Sequence, residues 1–143
     1  MKKIILTIVT VLPILCFGQS TTENYTKSTA YQVATQDGNV LDDQKLEMIT
    51  YFDGLGRPKQ RITQHAGSNR KYIISPVFYD EFGRQQKSYL DYPWLFNQGA
   101  FYDGNIVTDI KTYYKNKFPN DFVQPSGQEN PYFETIFANS PLN

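Results

Sequence analysis

One short motif, written twice, constrains this chain more than any other feature. Phe52-Asp53-Gly54-Leu55-Gly56-Arg57 returns 27 residues later as Tyr79-Asp80-Glu81-Phe82-Gly83-Arg84. An aromatic, an aspartate, two spacers, a glycine and an arginine recur in the same order. Self-similarity at such a period marks a repeat architecture, in which each unit needs a neighbour to bury its apolar face.

The residue types are those of a tight turn. Asp53 and Asp80 can accept hydrogen bonds from backbone groups two residues on. Gly56 and Gly83 supply the left-handed position that ends a type I turn with a bulge. Arg57 and Arg84 follow at once, placed to pair with the aspartate or to lie across the preceding aromatic. The flanks read as strands over 45–52 and 57–64, with Pro58 at a first position where a missing donor is tolerated. The second pair reads as 71–79, bent at Pro76, and 84–90. The two motif regions, 49–61 and 76–88, thus become hairpin connections in a meander. The competing reading makes Asp53, Asp80 and Glu81 catalytic carboxylates. Against it, each aspartate already has a turn role, and equivalent residues of a repeat lie one unit apart instead of converging.

The first residues read as an export signal. Lys2 and Lys3 precede the apolar run 4–17, and a small residue, Gly18, stands where a signal peptidase would cut. Such a stretch is short for a membrane span. Leu15 before Cys16 is large for a lipoprotein signal, which argues against lipid anchoring at Cys16. Residues 1–18 are expected to be a signal peptide, 19–28 a flexible lead-in and 29–143 the domain, incomplete at its C-terminus. The expected location is secreted or at the cell surface, with no membrane span in the mature chain.

Removing the signal removes the only cysteine, so no disulfide or thiolate chemistry remains. Without Lys2 and Lys3, 12 Lys plus Arg face 14 Asp plus Glu, a formal charge of −2. That balance offers no basic stripe for a nucleic acid. The full sequence has 11 Tyr, 10 Phe and one Trp, all but Phe17 beyond the signal, so the mature chain must be stabilised by aromatic packing, which favours pleated, half-buried surfaces. The fold class that follows is mainly β with one short helix, a meander of antiparallel hairpins. Among the other segments, 30–35 reads as a short strand closed by the turn Asp37-Gly38-Asn39, and 132–138 as one more strand. The helix is expected over 109–118, with Ile110, Tyr113, Tyr114 and Phe118 on one side and Pro119 as its stop.

The strings YFDGLGRPKQ and YDEFGRQQKSYLDY resemble the N-terminal domain of uncharacterised function that precedes Rhs or YD repeats in secreted bacterial proteins, and the ending FETIFANSPLN is similar to that domain too. The likeness spans roughly residues 23–143. It implies the start of a large hollow β shell, one that in many members encloses a C-terminal toxin. It also implies a partner: downstream Rhs repeats of the same or an adjacent reading frame. Phe52 stands where the repeat pattern has tyrosine, which favours packing over a hydroxyl role at that position.

A second functional reading is a glycan-binding module that uses Tyr92, Trp94 and Phe96 as a stacking patch for cell-surface glycans. Packing under a loop is the simpler account of those rings. His65 is the only histidine and sits in a polar loop, so neither a zinc site nor a histidine triad is available. No cofactor, metal site or catalytic residue is expected, and the chain is not expected to be an enzyme.

Overall fold

The computed structural model describes residues 22–66, 68–95, 99–120 and 130–137. The elements run β1 (Tyr25–Tyr31), β2 (Lys45–Phe52), β3 (Pro58–Gln64), β4 (Tyr72–Pro76), β5 (Lys87–Tyr89), β6 (Tyr92–Trp94), α1 (Ile106–Lys117) and β7 (Tyr132–Glu134). Five strands form one antiparallel sheet in the order β1-β2-β3-β4-β6, and β5 pairs with β7 in a separate ribbon. The protein is therefore mainly β, a hairpin meander with one helix.

Isoleucines in register explain where the core sits. Ile49 of β2 lies opposite Ile62 of β3, which in turn lies opposite Ile74 of β4. All three are fully buried, and Tyr51, Ile106 and Ile110 complete the cluster. Each side chain buried in this way contributes about 1.5–3 kcal/mol. One face of the sheet thus carries the core and α1. The other face carries Leu46 and Met48, which are exposed. The apolar run of β2 therefore mixes two faces, with Ile49 and Tyr51 inward. Its phase slips at a bulge between Tyr51 and Phe52.

Several boundaries differ from the sequence reading, each for a tertiary reason. Residues 25–28, read as lead-in, belong to β1, which runs over Tyr25–Tyr31 instead of 30–35 and pairs along the length of β2 from Tyr25↔Tyr51 to Tyr31↔Lys45. The open edge of β2 recruits it despite its polarity. The return strand 84–90 is regular only over Lys87–Tyr89, because it leaves the main sheet to pair with β7. The strand read over 132–138 holds over Tyr132–Glu134.

Tyr92–Trp94, read as an aromatic patch packed under a loop, is an edge strand that pairs with Tyr72–Ile74. Pro93 hid it, although a proline is tolerated on an edge. The helix starts at Ile106, earlier than 109, because Asn105 caps it by accepting from the Thr108 amide at 3.2 Å. Residues 1–18, Phe96 and 138–143 lie outside the described residues.

Candidate functional site

The two copies of the motif build the same turn atom for atom. In the first, the Gly56 amide donates to the Asp53 carbonyl at 3.0 Å, and the Asp53 amide to the Arg57 carbonyl at 2.9 Å. In the second, the Gly83 amide donates to the Asp80 carbonyl and the Asp80 amide to the Arg84 carbonyl, both at 2.9 Å. Gly56 and Gly83 have φ of +76° and +77°, the left-handed conformation that only glycine adopts at little cost.

The aspartates lock these turns. Asp53 Oδ1 accepts from the amides of Leu55 and Arg57, both at 2.9 Å, while Oδ2 accepts from Arg57 Nε at 2.8 Å. Asp80 Oδ1 accepts from Phe82 at 2.9 Å and Arg84 at 2.8 Å, and Oδ2 from Arg84 Nε at 2.9 Å. The hydrogen bond from the arginine's own amide holds each carboxyl below the ordinary 3.8, helped by the guanidinium and the second amide. Both carboxylates are thus ionised at neutral pH and have their oxygens committed to the turn. Glu81 stands exposed at the turn's tip.

Each arginine then reaches forward along the repeat. Of the two places open to it, the aspartate and the preceding aromatic, Arg57 takes the first by pairing with Asp53, and its guanidinium lies not over Phe52 but 4.3 Å from the centre of Tyr79, the aromatic of the next copy. The Tyr79 hydroxyl returns a hydrogen bond to the Pro58 carbonyl at 2.9 Å. Arg84 lies 4.4 Å from the centre of the Phe137 ring and 5.0 Å from that of Phe82. Neither Tyr79 nor Phe137 was legible as an arginine platform, because periodicity names equivalent residues and not the contacts between neighbours.

The aromatic patch is consumed largely by packing. Trp94 meets Tyr102 edge-on with centroids 4.1 Å apart, and Tyr92 sits edge-on to Trp94, Tyr102 and Tyr113 at 6.0–6.1 Å. Beside it runs an open groove of about 680 Å³ between the sheet edge and α1, whose lining includes Lys71, Asp91, Pro93 and Lys117. His65 packs its ring 5.3 Å from that of Tyr72. Among the described residues no group of three His, Cys, Asp or Glu is placed to hold a metal. No helix of the described residues is long and apolar enough to cross a membrane.

Further polar contacts, missed in the sequence, tie the core to the segment before α1. Buried Gln60 accepts from the Tyr102 amide at 2.8 Å and donates to its carbonyl at 3.3 Å. The Tyr51 hydroxyl donates to the Gly99 carbonyl at 2.6 Å. These tethers hold 99–102 over the sheet and so position α1.

Fold and turns together define a β-meander module with two Asp–Arg-clamped turns, the first closing the β2–β3 hairpin and the second leading from β4 into the separate β5–β7 ribbon instead of closing a hairpin. The chain belongs to the family described as a domain of unknown function, DUF6443, whose sequence profile matches residues 22–143. No curated protein and no solved structure matches it.

Proposed function

We propose that this chain is a non-enzymatic structural module of a secreted Rhs/YD-repeat protein, one that caps or opens a β shell. The observation that carries the reading is the contact between copies: Arg57 of the first lies over Tyr79 of the second. A residue of one unit that completes its neighbour is what repeat stacking requires. The commitment of Asp53 and Asp80 to their turns supports a structural role over a catalytic one. The export signal read in residues 1–18 supports a role outside the cytoplasm. The partner is then an array of YD repeats supplied by the same or an adjacent reading frame, with any toxin or effector carried further on.

The test is thermodynamic. An array of YD hairpins patterned on the second copy is appended after Asn143, and unfolding is followed by calorimetry and fluorescence. A module that opens such an array unfolds with it in one transition, at higher denaturant than alone. Two independent transitions, with this chain's midpoint unmoved, would discard the proposal.

A further inference from the structure

The register of the strands shows one relationship three times. In the pairing of β3 with β4, Gln60 lies opposite Pro76 and the Val77 amide donates to the Lys59 carbonyl at 3.0 Å. Continuing that ladder puts Arg57 opposite Tyr79. In the pairing of β5 with β7, Lys87 lies opposite Glu134 and the Thr135 amide donates to the Gln86 carbonyl at 2.8 Å. Continuing this one puts Arg84 opposite Phe137. In both, the residue two before the aromatic donates to the residue two after the arginine. Both also end with the guanidinium 4.3–4.4 Å from the ring centre.

The same register precedes the first copy. Thr26 lies opposite Thr50, and the Phe52 amide donates to the Asn24 carbonyl at 2.9 Å. Here Asn24 occupies the arginine's place.

From this geometry we infer that Phe137 is the aromatic of a third copy, which carries no recognisable Asp-x-x-Gly-Arg sequence, and that β1 is a return strand without a motif of its own. From Phe52 to Tyr79 is 27 residues and from Tyr79 to Phe137 is 58, an excess of 31. That excess holds β6 and α1, an insertion in the connection that joins β5 to β7 as residues 65–71 join β3 to β4. The insertion brings Ile106 and Ile110 onto the core. β5 with Arg84 is therefore a docking edge for a strand whose aromatic stands opposite the arginine, and β7 of the same chain fills it. This deepens the proposed structural role, but it concerns the chain's own ladder and stands whether or not a shell follows.

The test uses the full chain and two measurements. The first is a pair of double-mutant cycles in urea unfolding, Arg57→Gln with Tyr79→Leu and Arg84→Gln with Phe137→Leu. A cation over a part-exposed ring is worth about two- to five-fold in an equilibrium constant, so each cycle should return coupling in that range. The second is cross-linking in a Cys16→Ser background. Lys59→Cys with Val77→Cys and Gln86→Cys with Thr135→Cys should oxidise to comparable extents, while the shifted pair Gln86→Cys with Glu134→Cys should lag. Coupling at Arg57–Tyr79 with none at Arg84–Phe137, or the shifted pair closing as readily as the in-register one, would overturn the third copy. Neither outcome would bear on the appended-array experiment, so the two ideas can fail separately.

Discussion

The guanidinium of Arg57 lies over the ring of Tyr79 with one of its terminal nitrogens against Gly83. A Cβ built on Gly83 would stand 2.9 Å from Arg57 Nη1, whereas one built on Gly56 meets nothing within 4 Å. The second glycine is therefore needed twice, once for its own backbone and once for the arginine of the copy before it. That difference between two residues identical in the motif is a property of stacking.

The glycines should accordingly respond unequally to alanine. Gly56→Ala places a side chain at positive φ and is expected to cost about 1–2 kcal/mol. Gly83→Ala incurs the same strain and also displaces Arg57, so its loss should be larger by a few tenths to about 1 kcal/mol, the worth of a cation over an exposed ring. Urea denaturation of the two variants measures this. Equal losses would mean that the copies do not lean on each other.

Acid should loosen both turns. Asp53 and Asp80 are held below the ordinary carboxylate value of 3.8, so an unfolded chain binds more protons than the folded one in that region. Their stabilisation is complete well above 3.8, declines as pH falls through it, and is gone below the lowered folded values. The double variant Asp53→Asn, Asp80→Asn should be less stable at pH 7 and show a shallower decline over the same interval. Some slope will remain, since Asp37 and Asp42 are also lowered. An unchanged slope in the double variant would count against the turn-locking role.

What could be read from the sequence was what is local. The turns follow from Asp, Gly and Arg within six residues, and β2 and β3 follow from alternation beside them. The helix was placed near its position because Ile110, Tyr113 and Tyr114 recur at helical spacing, but its start depended on Asn105, a polar residue in a run of loop residues. β1 and β6 were hidden because edge strands are chosen by the partner they cover. Ser28 and Pro93 carry no strand signal of their own. Phe137 was hidden for a similar reason: only its register opposite Arg84 relates it to Tyr79, across an insertion that broke the period.

Tyr51 should matter more than its ring alone suggests. Burial pushes its hydroxyl up to about 12, and the same hydroxyl donates to the Gly99 carbonyl. Tyr51→Phe keeps the ring and leaves a buried carbonyl unpaired, at an expected cost of about 1–3 kcal/mol. Because the folded state favours the neutral phenol, its contribution is intact below the ordinary value of 10. It is lost as pH rises from there through about 12. Alkaline unfolding of the Phe variant should therefore be less steep, though Tyr72, Tyr92, Tyr102 and Tyr114, all raised by burial, will leave a residual slope. Matching alkaline curves for both proteins would remove Tyr51 from the account.

Trp94 separates the structural reading from the glycan-binding one. Its ring is half-buried and edge-on to Tyr92 and Tyr102, and a sugar needs an open aromatic face. On the structural reading, Trp94→Ala removes packing and destabilises the chain by about 2 kcal/mol, a discount on the 3–5 kcal/mol of a fully buried aromatic. The unaltered chain on a glycan array then gives no sugar-dependent signal for the substitution to abolish. The opposite pattern, sugar binding that vanishes in Trp94→Ala while the melting curve stays in place, would make the patch a ligand site. It would leave the Arg–aromatic ladder intact as the scaffold that presents it.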